Sequence, residues 1–304
     1  MTYRINKVAV IGAGTMGGGV DYGNNFVGRY ATIKAQLGAI GLSPSLAFRV
    51  NDRLAVGGGV SIIYTKFEQD IAINRTLLPT VDGGDGRLKI EDADDFGTQP
   101  FLSLNYKPTE DLLLSVVYRA EMDVELSGDV KFKNVALPIG ADSVDVDWDN
   151  PQWLEVGLKY RYSDKDTLYF NAGWQEWSKF SENELSFRND RVVVSDRNWD
   201  DTWHAGIAAV RVLSPSSLVS IGLAYESSPV KDEYRTLDFP VDEQWKVSAS
   251  YGWKHSDSMS FSLGATLSFV GDAALEQTAQ RVTVRGDYDT NFLAVVGGTL
   301  RYEF

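Results

Sequence analysis

The last fourteen residues, Asn291 to Phe304, limit most sharply what this chain can fold into. They read N-F-L-A-V-V-G-G-T-L-R-Y-E-F. Phe292, Ala294, Val296, Gly298, Leu300, Tyr302 and Phe304 share one parity, and Leu293, Val295, Gly297, Thr299, Arg301 and Glu303 share the other. A period of two is that of a β-strand, whose successive side chains point to opposite faces. Toward the C-terminus one face is aromatic and aliphatic while the other becomes charged. A strand of roughly ten residues that is apolar outside and polar inside is the unit of a transmembrane β-barrel. The closing strand of a soluble β-sandwich would show the same local alternation, so the choice rests on the rest of the chain.

The same two-faced pattern recurs. Ala120, Met122, Val124 and Leu126 oppose Arg119, Glu121, Asp123 and Glu125. Leu154, Val156, Leu158, Tyr160 and Tyr162 oppose Glu155, Lys159 and Arg161. Trp245, Val247, Ala249, Tyr251 and Trp253 oppose Lys246, Ser248, Ser250 and Lys254, and the row Met259 to Phe269 opposes serines, a glycine and a threonine. A sandwich core buries such a face equally well, but it rarely sets aromatics at both ends of it with charge rows opposite. Aromatic girdles at two membrane interfaces explain that arrangement.

Connection lengths agree. Short turns are expected at Asn51-Asp52, Pro108–Asp111, Ser163–Asp166, Ser214–Ser217 and His255–Ser258, and long connections at about 75–97, 131–150, 185–200, 228–242 and 272–288. Short and long alternate, as in barrels with short periplasmic turns and longer extracellular loops. The reading is all-β: an antiparallel transmembrane barrel of the outer-membrane type. About eleven strands are expected, at 43–51, 53–73, 98–107, 111–127, 151–163, 166–184, 201–213, 217–227, 243–255, 258–271 and 289–304.

Composition removes other classes. Mean hydropathy is −0.20, and no run of 18 or more apolar residues is present, so helical spans are excluded. With no cysteine there is no thiol chemistry and no disulfide. A net charge of −13 is the reverse of a nucleic-acid footprint. Two histidines, His204 and His255, are too few and too far apart for a His-based metal site.

The N-terminus reads differently. Val8 to Ile11 is followed by Gly12, Gly14 and Gly17 in the G-x-G-x-x-G spacing of a dinucleotide fingerprint. Together with the Lys-Val-Ala-Val-Ile lead-in, this stretch resembles the N-terminus of 3-hydroxyacyl-CoA dehydrogenases over about twenty residues. The fingerprint needs a helix after the glycines and an acidic residue roughly 20 positions on. Instead Gly18-Gly19-Val20-Asp21-Tyr22-Gly23 follows, and no Asp or Glu lies between Asp21 and Asp52. Cofactor binding is therefore not expected. Arg4 and Lys7 precede only a short apolar core, with no clear signal-peptide cleavage site. Residues 1–20 are expected to be a foreign, dehydrogenase-like stub, and 21–304 a partial barrel.

From Asp21 onward several motifs stand in order: Ser43-Pro-Ser-Leu-Ala-Phe48 before the glycine-rich Ala55–Ser61, then Asn150-Pro-Gln-Trp153, Trp174-Gln-Glu-Trp-Ser-Lys-Phe180, and Tyr225-Glu-Ser-Ser-Pro-Val230 with Arg235 and Pro240. On these the chain resembles the FadL-type family of outer-membrane transporters for long-chain fatty acids and related hydrophobic compounds. The resemblance implies a fourteen-stranded barrel with an N-terminal plug, so the plug and about three strands are expected to be missing here. It also implies an outer-membrane location, and recognition of the terminal Phe304 by the barrel assembly machinery. The function implied is passive, ligand-gated diffusion of the hydrophobic compound through the barrel. A fatty acid needs an apolar groove and a cationic or hydrogen-bonding group for its carboxylate. Leu77, Leu78, Val135, Leu137 and Phe239 are candidate groove residues, and Arg119, Lys159, Arg161 and Lys246 are candidate lumen cations. No catalytic constellation is present, and Asp92-Ala-Asp94-Asp95 reads as a solvated acidic loop, not a ligand loop for a metal. The alternatives are a fragment of an NAD-dependent 3-hydroxyacyl-CoA dehydrogenase and a general porin or structural barrel.

Overall fold

The structure, a computed structural model, describes residues 7–136, 142–180, 182–188, 191–288 and 291–302. Leu137 and Phe304 lie outside the described residues. Eighteen strands follow in order: β1 (Lys7–Asp21), β2 (Lys34–Arg49), β3 (Leu54–Ile73), β4 (Gly86–Tyr106), β5 (Leu112–Arg119), β6 (Met122–Lys133), β7 (Ser143–Asn150), β8 (Trp153–Arg161), β9 (Asp166–Gln175), β10 (Glu182–Phe187), β11 (Arg191–Asp196), β12 (Thr202–Ser214), β13 (Ser217–Glu226), β14 (Gln244–Lys254), β15 (Met259–Val270), β16 (Leu275–Ala279), β17 (Val282–Gly286) and β18 (Phe292–Tyr302).

Twelve of them form one antiparallel wall, in the order β1-β2-β3-β4-β5-β8-β9-β12-β13-β14-β15-β18. Among the described residues no pairing joins β1 to β18. The wall starts earlier than the alternation suggested, β2 and β4 run longer than expected, and the one strand expected at 111–127 is two, β5 and β6, with different partners. Gly12, Gly14 and Gly17 do not open a turn before a helix. They lie within β1, opposite Ser43, Gly41 and Gly38 of β2, and the next element is again a strand. Residues 7–21 thus supply a twelfth wall strand beside the eleven expected.

The Asp92–Asp95 stretch is likewise strand and not loop. It sits in β4 where the register slips between Glu91 and Asp94, with Asp92 at φ 53°, the geometry of a bulge. Lys66 on β3 takes the Asp92 carboxylate at 2.6 Å. Near this bulge β4 changes partner. Its Phe101–Tyr106 half pairs with β5, and its Arg87–Asp94 half pairs with β6. From there β6, β7, β10 and β11 continue sideways as a ledge.

All five short connections leave the wall at one end and the long ones at the other. The short turns were placed correctly by the sequence. The long connection expected at 75–97 is only residues 74–85, because β4 begins at Gly86. At the long-connection end, β16 and β17 form a separate hairpin. Its two-residue turn puts Gln280 and Arg281 at positive φ, as a primed hairpin turn requires. The Gln280 side chain accepts from Asn74 N at 2.7 Å and donates to Ala72 O at 2.7 Å and Tyr30 O at 3.0 Å. Tyr22 Oη donates to Leu237 O at 2.9 Å and also contacts the Tyr288 hydroxyl. The hairpin therefore ties the last long connection to the first two.

The two faces of the wall differ as alternation demands. Cross-strand register aligns Phe170, Ile207, Leu223, Val247 and Leu267 as one exposed apolar row. Aromatic pairs bound the apolar face on both sides. Trp174 with Trp203 (6.4 Å) and Tyr225 with Trp245 (4.9 Å) lie toward the long connections, and Trp253 with Phe261 (5.3 Å) toward the short turns. Trp245 and Trp253 are eight residues apart on β14, about 27 Å along an extended strand, or roughly 19–22 Å of height at a tilt of about 35–45°, close to an apolar band ~25 Å tall. The packed core lies elsewhere. Phe67, Ile90, Met122, Leu126, Val144, Val146, Trp148, Phe180 and Trp199 bury one another in the ledge and under the long connections.

Candidate functional site

Inward-facing residues near the long-connection ends of the wall, together with the connections above them, enclose a cavity of about 650 Å³. The wall contributes Leu37 from β2, Ile63 and Thr65 from β3, Gln99 from β4, and Gln175, Thr202, Glu226 and Gln244 from β9, β12, β13 and β14. The aromatic part is Trp148, Trp153, Trp177, Trp199 and Phe239. Trp153, Trp177, Trp199 and Phe239 fall at a strand start or in long connections, where alternation does not single them out, while Trp148 continues the buried row Val144, Val146 of β7. The sequence signal was the motifs themselves, since Trp153, Trp177 and Phe180 belong to two of those quoted above.

The roof is held by packing and by the ion pairs of two buried arginines. Phe180, 1% exposed, is the hub. Its ring centre lies 4.9 Å from Trp199, 5.1 Å from Trp148, 6.3 Å from Phe239 and 6.4 Å from Trp177. Edge-to-face and offset contacts at these separations are the favoured aromatic geometries. Arg197 follows β11, and its guanidinium grips Asp238 two-handedly, at 2.8 and 3.1 Å, while also donating to Thr236 Oγ1 at 2.8 Å. It lies 5.1 Å from the Phe239 ring centre. Burial alone would raise the Asp238 carboxyl, but the Arg197 charge and the hydrogen bonds from Arg197 and Thr236 outweigh it and hold the group below the usual carboxylate range. Arg235, 2% exposed, donates to Val241 O at 2.8 Å and pairs with Asp242 at 3.1 Å. The 228–242 connection is thereby fixed over the cavity.

The residues singled out in the sequence are scattered through the molecule. Phe239 lines the cavity. Leu77 and Leu78 lie in the 74–85 connection and Val135 bridges to Thr80, and none of the three lines the cavity. Arg119 projects inward at the end of β5, with its guanidinium carbon 4.6 Å from the Phe101 ring and 5.2 Å from the Trp153 ring, and donates to Ser61 Oγ at 2.7 Å. It thus sits behind the Trp153 wall of the cavity. Lys159 and Lys246 line a second, mid-wall hollow of about 520 Å³. There Lys159 approaches the Tyr169 ring at 5.8 Å, and Lys246 forms an ion pair with Glu226. Arg161 pairs with Asp111 at 2.6 Å at the short-turn end. Among the described residues Arg119 and Lys159 have no ion-pair partner, whereas Arg161 and Lys246 have one.

Comparison with known proteins settles the wider question. A family model for outer membrane transport proteins of the OMPP1/FadL/TodX group matches residues 4–304. The chain belongs to this family. Its location is the outer membrane, and its fold is the β-barrel of that family. A long-chain fatty acid transport protein of Escherichia coli O6:H1 is 21% identical over 266 residues, covering 77% of this chain and 59% of the relative. A putative outer membrane protein of Neisseria meningitidis is 32% identical over 99 residues, 30% of this chain and 21% of the relative. The fold agrees with the crystal structure of a Pseudomonas aeruginosa FadL homologue (TM-score 0.84, 19% identity, 98% of this chain and 74% of that one). It also agrees with the Pseudomonas putida toluene transporter TodX (TM-score 0.77, 14% identity, 99% and 80%). The chain thus spans about three fifths of the E. coli relative's length.

The membrane location makes the apolar exterior testable. Leu223 stands mid-strand, flanked by Ile207 and Val247. Leu223→Arg places a cation near the bilayer midplane and is expected to cost about 2–4 kcal/mol of folding stability in lipid vesicles. Urea titration of the refolded barrel measures this. A shift below about 0.5 kcal/mol would mean that this face does not meet lipid.

Proposed function

We propose that this chain passes long-chain fatty acids or other hydrophobic compounds across the outer membrane by passive diffusion, and performs no chemistry on them. The aromatic-roofed cavity supports this reading most directly. Its aromatic and aliphatic side chains, interspersed with polar ones, suit a small hydrophobic molecule, and it stands at the long-connection end of a lipid-facing wall. A hydrophobic solute leaves water for the cavity, binds there without reaction, and then moves inward past Trp153. For an acidic solute, Arg119 and Lys159, inward cations with no ion-pair partner among the described residues, are the head-group candidates farther down. Insertion by the assembly machinery, with Phe304 as the terminal signal, belongs to the same proposal.

Uptake of labelled oleate and labelled naphthalene by a strain lacking its own transporter of this kind tests the reading. Expression of the chain should restore influx down the gradient of at least one compound, without an energy source. Trp199→Ala should reduce that influx about fivefold or more, with the protein still present in the outer membrane. A general porin would instead admit small sugars at the same relative rate and be indifferent to Trp199, and that outcome would defeat the proposal.

A further inference from the structure

A band of charged side chains separates the roofed cavity from the mid-wall hollow below it. Alternation carries the lining from one to the other in a single inward-facing step on three strands: Trp153 to Glu155 on β8, Glu226 to Ala224 on β13, and Gln244 to Lys246 on β14. On β12 the cavity residue is Thr202 and the hollow residue Gly206, and the inward position between them is His204. His204 pairs in register with Gly173 of β9 and with Glu226 of β13. A solute moving inward from the cavity therefore passes His204, Glu155, Glu226 and Lys246 together.

The band is built around the imidazole. A Cβ on Gly173 would collide with the His204 ring, so this glycine is the space that lets the ring lie across β9 toward β8. There His204 Nε2 comes within 3.9 Å of Glu155 Oε2. Among the described residues Glu155 has no other ion-pair partner, whereas Glu226 is matched by Lys246. The groups facing His204 are thus Glu155 from β8, the bare Gly173 from β9, and Glu226 from β13 with Lys246 of β14 behind it. Arg119 and Lys159 are the next inward charges above and below. The His204 side chain is 17% exposed and that of Glu155 38%, so both meet the water of the lumen. Of the side-chain types in the band, imidazole is the one that ordinarily changes charge between about pH 5 and 8. With His204 neutral the band holds one uncompensated carboxylate, Glu155, and with His204 protonated it holds none.

We propose, building on the transport reading above, that His204 makes this band a proton-dependent charge filter on the inward path: the neutral ring leaves the Glu155 carboxylate facing an anionic solute, and the protonated ring cancels it. Passage of anionic amphiphiles then quickens as the surroundings turn acidic, while passage of uncharged compounds does not respond. The filter tunes the rate for acids without excluding them, because Arg119 above and Lys159 below still attract a carboxylate. Gly173 is the positioning residue, since it acts only by making room for the ring.

The test needs probes that do not themselves titrate. Labelled dodecanesulfonate is ionised throughout and is followed into proteoliposomes of the full chain with albumin trapped inside as acceptor. Labelled naphthalene carries no charge and is followed in the cell uptake assay above. Both are measured from about pH 5.5 to pH 8, the span in which imidazole titrates. Sulfonate flux should be about threefold higher at the acid end, the effect of cancelling one unit charge roughly 7 Å away in watery surroundings, and naphthalene uptake should be level. His204→Asn should hold sulfonate flux near its alkaline value at every pH, and Glu155→Gln near its acid value. Gly173→Ala, which pushes the ring aside, should blunt the response with the histidine still in place. All three variants should take up naphthalene as the parent does. A flat sulfonate profile in the parent, or a pH response that survives in His204→Asn, would overturn the proposal. Loss of naphthalene uptake in His204→Asn would make the residue structural and overturn it equally. Absence of sulfonate flux while naphthalene or oleate is taken up would refute the filter and leave the transport reading standing, whereas absence of all three would defeat both.

Discussion

Asp238→Ala should loosen the cavity roof by about 3–5 kcal/mol, the cost of removing one partner from a buried ion pair. Arg197 and Asp238 are only 6% and 8% exposed at the side chain. Without the carboxylate, the Arg197 guanidinium remains buried against Phe180 and Phe239, with Thr236 as its remaining side-chain hydrogen bond among the described residues. The wall strands do not depend on this pair, so the effect should be local. Hydrogen exchange and limited proteolysis would register it at 228–242, while the barrel keeps its resistance to denaturant. Arg197→Met combined with Asp238→Leu should recover much of the loss, because a packed apolar pair carries no desolvation cost. Equal protease resistance in Asp238→Ala and the parent would show that the pair holds nothing.

The same pair gives the roof a pH dependence of definite sign. The Asp238 carboxyl is held below its ordinary range in the folded state. Its contribution is therefore complete at pH values above the unfolded carboxyl pKa of about 3.9 and is lost as pH falls through the lower folded value. Roof protection should stay level from pH 7 to about pH 4.5 and decline below that. In Asp238→Ala this component of the decline should vanish.

Phe180→Ala should be comparably damaging, at about 3–5 kcal/mol for emptying a large buried aromatic site. Phe180 is the ring that touches Trp148, Trp177, Trp199 and Phe239 together. Its removal opens a void at the point where the 176–201 and 228–242 connections meet. Near-ultraviolet circular dichroism should lose much of its tryptophan signal, and uptake of the labelled probes should fall severalfold. Phe292→Ala provides the contrast. That ring is 58% exposed on the lipid-facing side, and its truncation should leave both readouts nearly unchanged. Matching losses in the two variants would argue that the aromatic hub is not what shapes the cavity.

How much of this was legible in the sequence follows from the kind of order each part has. Wall strands such as β14 and β15 were readable because lipid on one side and lumen on the other impose a strict period of two. The short turns were readable from their Asn, Asp, Pro and Ser residues. β1 was missed because its glycines fit a turn-forming fingerprint equally well; what makes it a strand is its fifteen-residue pairing with β2, a tertiary contact. β7, β10 and β11 were missed for a related reason. They lie on a ledge away from the twelve-strand wall, where acidic residues such as Asp145 and Asp147 alternate with valines and read as loop. Phe239 was found among the cavity residues on apolarity alone. Thr65 and Thr202 could not be found that way, since a threonine in a strand is ordinary.

The hairpin of β16 and β17 has a consequence for the order of folding. Gln280 bonds to Asn74, Ala72 and Tyr30, and Tyr22 reaches Leu237 and Tyr288, contacts separated by about 206 to 266 residues along the chain. Closing loops of that length is entropically costly and is repaid only after the intervening chain is already ordered. These contacts therefore form late, once the sheet between them has been laid down strand by strand. A protease-resistant 272–288 segment is then a mark of completed assembly, and its cleavage during insertion identifies chains that are still on the way.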